Sequence, residues 1–297
     1  MILAVTGATG FVGGHLVKQA LAAGRRVRAL TRRPQPSAEG VEWIAGALDD
    51  RESLKQLIAG ANAVVHLAGA VTADRAGFVA ANIEGTRAVL AAAEDSKVGR
   101  FVHVSSLSAR EPQLSNYGWS KRESERLVEA SGLDWTIVRP TGVYGPGDTE
   151  MRDMFRMARL GLALLPPPGR VSLIAVEDLA ALLLALAERR DMRTIFEVDD
   201  GAQMTHAELA GAIGAAVGQR VLPMHLPRPL LSIAAAIDTR LRGAKAKLTR
   251  DRVGYLCHPD WTADPARRPP RDLWTPAIPA DAGLAATAQW YRANRLL

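Results

Sequence analysis

The segment Thr6-Gly-Ala-Thr-Gly-Phe-Val-Gly13 sets glycines at 7, 10 and 13 directly behind the apolar run ILAVT, residues 2 to 6, and ahead of a helically periodic stretch from Phe11 to Ala23. An apolar strand that runs into a glycine turn and then a helix is a βα unit. Glycine permits backbone angles and close approaches that a Cβ forbids. The helix N-terminus beyond it presents unpaired N–H groups and a partial positive charge, which suits a pyrophosphate. A strand-helix turn with incidental glycines is the plainer alternative, and three glycines at this spacing in a first βα unit make it the poorer one. The spacing is GxxGxxG, not the GxGxxG of the usual dinucleotide fingerprint.

The pattern repeats along the first half. VRAL (27 to 30), VEWIA (41 to 45), AVVHLA (63 to 68), RFVHVS (100 to 105) and DWTIV (134 to 138) read as strands. Helices are expected over Glu52 to Ile58, Phe78 to Glu94 and about Ser115 to Ala130. Continuously apolar strands alternating with helices predict a parallel sheet covered on both faces, a Rossmann-type doubly wound α/β fold. The expected division is a dinucleotide-binding domain over 1–140, to which 171–198 returns through a helix at Asp178 to Glu188 and the strand TIFEV. A smaller C-terminal substrate-binding lobe takes 141–170 and 199–297, where proline-rich segments shorten the elements.

Composition narrows the setting. With 297 residues, 48% of them hydrophobic, the chain suits one large or two intimately joined globular domains. It opens on MILAVTGATG with no basic leader, so secretion is not expected. The longest apolar run, Leu179 to Ala187, is far short of the roughly 20 residues of a membrane span. Cys257 is the sole cysteine, which excludes an intrachain disulfide and fits a reducing cytoplasm. The net charge of +6 is spread along the chain without any nucleic-acid-binding signature, so no nucleic acid is expected as a partner. The dense basic patch of Arg240, Arg242, Lys245, Lys247, Arg250 and Arg252 reads first as a solvated face. Because it follows the apolar LLSIAAAI, anionic lipid is the other reading.

The pentapeptide YGWSK sets Tyr117 and Lys121 at i and i+4, on one face of a helix. With the glycine loop, it resembles the short-chain dehydrogenase/reductase superfamily, in its extended and atypical epimerase/dehydratase-like branch. TGATGFVGGHL, AVVHLAGA, the segment Asn82 to Thr86, RFVHVSSLSA, YGWSK, RPTGVYGPGD, AVEDLA and TAQWYRANRLL occur in family order over nearly the whole length. The resemblance implies a Ser106, Tyr117, Lys121 catalytic set, with Ser108 and Ser105 as fallbacks for the serine. Ser106 and Tyr117 would bond a carbonyl oxygen while Tyr117 passes the proton. A neutral tyrosine with a pKa of about 10 is a poor base, and a lysine cation nearby favours the phenolate. Half-buried helical Tyr and strand-end Ser are the alternatives that the glycine loop disfavours.

For the cofactor, the resemblance implies contacts from Gly7, Thr9, Gly10, Phe11, Val12, Gly13, Leu48, Leu67, Ala68, Gly69, Asn82, Tyr117, Lys121 and Pro140. Asn82 supports the cofactor or a proton relay, or else caps a helix. The second strand ends in Arg32 and Arg33 where NAD-specific folds carry an acid. Guanidinium pairs well with a 2′-phosphate, so NADP(H) is expected over NAD(H), the alternative being arginines that merely solubilise a loop. Gly46-Ala47-Leu48 lacks the aspartate that often holds adenine in the family, which leaves the Leu48 backbone and apolar contact. His66 and His103 read as core or cofactor-edge residues, and no motif indicates a metal.

The implied activity is hydride transfer between NADP(H) and a carbonyl or alcohol of a small, moderately apolar substrate. The apolar stretch Met224 to Ile237 and the resemblance to dihydroflavonol-reductase-like members point that way. A sugar-nucleotide epimerase or dehydratase with retained cofactor is the alternative, disfavoured by Thr141-Gly142 where such enzymes often carry asparagine. A non-enzymatic dinucleotide-binding sensor or assembly factor is a third. Family members commonly dimerise through helices matching 78–94 and 115–130, so a homodimer is an expectation of the resemblance alone.

Overall fold

A strand buried on both faces is mostly apolar, and β1 (Ile2–Thr6), the first strand, is of that kind: from Leu3 to Thr6 its residues are wholly shielded, the one hydroxyl, on Thr6, being hydrogen-bonded. In the computed structural model, which describes residues 1–243, 246 and 248–297, it lies in the interior of a seven-stranded sheet. Then come α1 (Phe11–Ala22), β2 (Arg26–Thr31), β3 (Val41–Ala45), α2 (Arg51–Ile58) and β4 (Ala63–His66). A helical run follows as α3 (Arg75–Phe78), a π-helical segment (Val79–Glu84) and α4 (Gly85–Asp95). β5 (Phe101–Val104), a 3-10 turn (Leu107–Arg110), α5 (Asn116–Glu129) and β6 (Trp135–Pro140) come next.

The chain then enters a second unit with β7 (Gly142–Tyr144), α6 (Arg152–Arg159), β8 (Leu162–Leu165), β9 (Arg170–Val171) and β10 (Leu173–Ala175). It returns to the first with α7 (Val176–Glu188) and β11 (Thr194–Val198). β12 (Met204–Thr205), α8 (His206–Val217), β13 (Leu222–His225), α9 (Arg228–Arg242), α10 (Arg250–Leu256) and β14 (Asp260–Trp261) belong to the second unit. Asp264–Thr275 rejoins the first, and α11 (Ala280–Ala293) closes the second.

In the first unit the strand order is β11-β6-β5-β4-β1-β2-β3, with every pair parallel. α1 and α7 pack together on one face, and α2, α4 and α5 line the other. The helices dock as their sequences dictate: α1 buries Gly13, Leu16, Val17 and Ala20, the i, i+3, i+4, i+7 face of an amphipathic helix. Leu54, Leu57, Ile58, Val89, Phe101 and Ile137 are fully buried in the core, each contributing about 1.5–3 kcal/mol. The helix expected over Phe78 to Glu94 is part of a helical run from Arg75 to Asp95, and its residues Val79–Glu84 are π-helical. A π turn holds more residues than an α turn, and here it includes the buried Asn82.

The second unit has its own core of Tyr144, Phe155, Leu209, Ile213, Leu284 and Tyr291. Small two- and three-stranded sheets surround it. α8 starts with a capping box, Thr205 accepting from the Glu208 amide while Glu208 accepts from that of Thr205.

Candidate active site

The sheet reverses its order between β1 and β4, so the loops behind their carboxyl ends part and leave a crevice of the kind that binds ligands in open α/β sheets. Gly7 follows β1 and has φ +74°, a conformation that L side chains rarely adopt. A Cβ there would lie 2.8 Å from the Ala68 amide nitrogen and 2.9 Å from the Leu67 carbonyl carbon, so Leu67 and Ala68 close directly on the glycine turn. Gly10 donates to the Gly7 carbonyl at 3.0 Å, and a Cβ on Gly13 would stand only 2.1 Å from that same oxygen. Thr9 and Gly10 are exposed and Phe11 and Val12 half-buried at the start of α1.

The entry to α1 is made of backbone. Its first residue follows Gly10, which offers no side-chain cap, whereas Asp50 caps α2 and Ser115 caps α5. A concave turn whose glycines leave no room for a Cβ, opening on an uncapped helix N-terminus, fits the pyrophosphate of a dinucleotide.

The remaining sequence-derived positions fall around the same edge. Arg32 and Arg33 are exposed just beyond β2, where Thr31 Oγ1 donates to the Arg33 carbonyl at 2.6 Å and fixes the bend. Leu48 turns its side chain onto Gly85, whose Cβ would lie 2.6 Å from Leu48 Cδ1. Its apolar bulk packs against the core. Pro140 ends β6 and is buried. Asn82 caps nothing: its carboxamide accepts from the Ala70 amide at 2.7 Å and donates to the Ala70 carbonyl and to Ser120 Oγ at 3.0 and 2.9 Å. It ties the loop behind β4, at Gly69 and Ala70, to α5.

Three serines follow β5, and their protons go to different places. Ser105 donates to Glu125 Oε1 at 2.6 Å. Ser108 donates to Ser106 Oγ at 2.9 Å, and the Ser108 amide also reaches Ser106 Oγ at 3.2 Å. Ser106 Oγ thus accepts from the Ser108 amide and shares one hydrogen bond with the Ser108 hydroxyl, while the Ser105 proton is committed to a carboxylate. α5 comes down on this turn at Gly118, where a Cβ would sit 2.6 Å from the Ser108 carbonyl oxygen. The glycine in YGWSK is thus what lets α5 approach the serine turn, a role that same-face geometry alone does not disclose. Tyr117 is half-buried and packs on Phe78 with ring centroids 6.0 Å apart.

Lys121, one turn along, is 6% exposed and donates from Nζ to the Val104 carbonyl at 2.7 Å. Burial pulls its pKa from 10.5 to about 8, with Glu125 opposing the fall. Beneath it lie His66 and His103, stacked at 5.3 Å and both buried. Burial, with Lys121 adding to it, holds His66 down to about 3 and keeps His103 well below its ordinary value. Both are neutral core histidines; His66 bonds Thr6 at 2.7 Å and Thr86 at 3.0 Å.

A buried ion network behind the site escaped the sequence reading. Arg139 donates to both oxygens of Glu125, at 2.8 and 2.7 Å, and to Glu197 at 3.3 Å. Glu125 is two helical turns beyond Tyr117, so Ser105, α5 and β6 are tied to one carboxylate, and β11 joins them through the Arg139 guanidinium. The only signal in the sequence is an acid within YGWSKRESE at the helical spacing of Tyr117 and Lys121.

A protein-family model described as NAD(P)H-binding matches residues 7–190. A ceramide reductase of Caulobacter vibrioides is 36% identical over 98% of this chain and 95% of its own length. The chain is a member of the extended short-chain dehydrogenase/reductase family. A dTDP-glucose 4,6-dehydratase of Streptomyces niveus is 25% identical over 99% of the chain and 94% of its own length. The fold is that of the solved Bordetella bronchiseptica enzyme WbmH in complex with NAD+, with TM-score 0.77, 20% identity and 98% of each chain covered. This extended short-chain dehydrogenase/reductase is an NAD(P)-dependent enzyme of the oxidoreductase kind, and its relatives divide among reductases, dehydratases and epimerases.

Proposed function

We propose that the enzyme reduces a ketone on a long-chain lipid of the ceramide type, with NADPH as the reductant. The observation that supports the reaction type is the serine turn, where Ser105 is committed to Glu125 while Ser106 heads the turn on which α5, the helix of Tyr117 and Lys121, closes at Gly118. The substrate class is supported by the likeness to a ceramide reductase along the full length of both chains.

Bound at the glycine turn, with Leu67, Ala68, Gly69 and Pro140 along the same sheet edge, the nicotinamide cofactor supplies the hydride. Ser106 donates a hydrogen bond to the carbonyl oxygen and so stabilises the negative charge that develops there. Tyr117 delivers the proton to that oxygen. Lys121 is a cation at neutral pH, and its charge stabilises the phenolate that Tyr117 leaves behind. Asn82 holds Ser120, and with it the middle of α5, against the loop behind β4. The second unit, where relatives of one fold would differ, selects the substrate.

The choice of NADPH is supported by Arg32 and Arg33, exposed at the end of β2 with no carboxylate before Glu39. Replacing both with serine is expected to weaken NADPH at least tenfold while leaving NADH unchanged. Equal losses for the two nucleotides would refute the assignment.

The test is NADPH absorbance with detergent-dispersed lipid ketones, set beside dTDP-glucose and UDP-glucose. Turnover is expected with the lipid ketone and not with the nucleotide sugars. Tyr117→Phe should lose turnover and retain NADPH binding; an active Phe variant overturns the mechanism. The full-length likeness to a dTDP-glucose dehydratase supports a second reading. It requires retained cofactor and product formation without net NADPH consumption.

A further inference from the structure

The apolar stretch from Met224 to Ile237 is not the core of its unit. In α9, Leu231 and Ala235 are buried and pack with Val253 of α10, but Leu230, Ile233, Ile237 and Leu241 are each more than half exposed. At about 100° per residue these four fall within an arc of roughly 80° on the face away from that seam. The strand pair before α9 repeats the feature. β8 and β13 pair in parallel, with Leu162 opposite Leu222 and Leu164 opposite Met224, and all four are 42–61% exposed. Residues at i and i+2 share a sheet face, so these side chains form one apolar surface, preceded by Leu160 at 78% exposure. β13 runs into α9 through Leu226 and Pro227.

Charge says what covers these strips. No carboxylate occurs between Met154 and Val176 or between Leu209 and Ile237. Arg159 and Arg220 stand before the two strands, and Arg228 and Arg240 near the two ends of α9; all four are exposed. Asp238 is committed to Arg242 at 3.2 Å. Between 228 and 252 the sequence has seven basic residues against two acidic ones. Lys245 and Lys247 of that basic patch lie outside the described residues, and Arg252 pairs with Glu150 at 3.2 Å. Among the described residues no helix is long and apolar enough to cross a membrane. At 15 residues α9 reaches about 22 Å, short of a bilayer core of about 30 Å. Apolar faces rimmed by arginine and free of acids suit the headgroup boundary of an anionic bilayer.

We infer that α9 and the β8–β13 strand pair form a peripheral docking surface for an anionic lipid bilayer. The helix lies in the interface plane, with Leu230, Ile233, Ile237 and Leu241 in the acyl boundary and the arginines among the headgroups. The surface is independent of the substrate reading, so it is tested without any ketone.

The full chain is sedimented with vesicles of phosphatidylcholine mixed with phosphatidylglycerol, and with vesicles of phosphatidylcholine alone. Binding is expected to the mixed vesicles, at least tenfold weaker to the neutral ones, and falling as salt is raised. Ile233→Glu/Ile237→Glu should lower vesicle binding at least tenfold, and Arg228→Gln/Arg240→Gln should remove the preference for phosphatidylglycerol. NADPH affinity and the circular dichroism melt report that both variants are folded. Absence of vesicle binding by the wild type, or binding indifferent to both variants, overturns the inference. So does light scattering that shows a wild-type dimer made monomeric by Ile233→Glu/Ile237→Glu without any vesicle binding, because a second copy would then cover the face.

Discussion

Lys121→Met separates a lysine kept for chemistry from one kept for stability. The side chain is buried, and its pKa falls from 10.5 to about 8. At 1.36 kcal/mol per pKa unit, holding the charged form in the fold costs about 3 kcal/mol relative to the unfolded chain. Methionine keeps the length of the stem and removes the charge. It also removes the bond to the Val104 carbonyl, a loss of about 1–2 kcal/mol. The variant is therefore expected to be about 1–2 kcal/mol more stable than the wild type at pH 7, while turnover falls by at least about a hundredfold. The pH dependence isolates the charge. Between pH 8 and 10.5 the unfolded lysine still holds a proton that the folded one has released, so wild-type stability rises with pH across that window. The advantage of the methionine variant should shrink by about 2 kcal/mol from pH 7 to pH 9.5. Urea denaturation of both proteins at both pH values measures this, and taking the difference cancels every other titrating group. A variant several kcal/mol less stable at pH 7, with a difference that does not move with pH, would falsify the argument.

Three further substitutions test the backbone and the ion network. Gly13→Ala puts a Cβ 2.1 Å from the Gly7 carbonyl oxygen, and NADPH affinity by fluorescence titration should fall at least about tenfold, because the turn cannot keep its shape; an unchanged dissociation constant would contradict this. Gly118→Ala drives α5 off the serine turn, with an expected stability loss of about 1–3 kcal/mol and a drop in kcat of at least about tenfold from misplacing Tyr117. Wild-type kcat would show that α5 need not sit so close. Glu125→Leu leaves Arg139 buried without its bidentate partner, and thermal or urea melts should show a loss of about 3–5 kcal/mol; a loss below about 1 kcal/mol would mean that Glu197 suffices.

The sheet was legible in the sequence because its strands are short and largely apolar and most alternate with helices of a clear period, so local pattern and tertiary role agree. The glycine turn was legible because its geometry is set by a chemical absence, the missing Cβ, which a sequence displays directly. The π-helical turn was not, since Asn82 reads locally like a capping residue and only its partners Ala70 and Ser120 reveal an interior position. Glu125 was also hidden, because its three partners, Ser105, Arg122 and Arg139, are spread along the chain, and burial is what turns them into a network. That Ser105 is committed to Glu125 was likewise hidden, because no spacing encodes a partner twenty residues away. The apolar Met224 to Ile237 stretch read as substrate-contacting lobe, yet exposure divides it between a narrow buried seam and a wide bare face.

The position of β11 at the end of the sheet has a consequence for how the protein is made. β6 is flanked by β5 and β11, and β11 comes from residues 194–198, beyond an excursion of the chain through the second unit. During synthesis β6 emerges long before its outer neighbour, with an apolar face and a free row of amide and carbonyl groups. At about 5–20 residues per second that exposure lasts several seconds. Glu197, which shares Arg139 with Glu125, arrives with the same strand. A nascent chain stalled before residue 194 is thus a ready template for pairing with another copy, and ribosome pausing within 141–193 should raise aggregation more than pausing after residue 198.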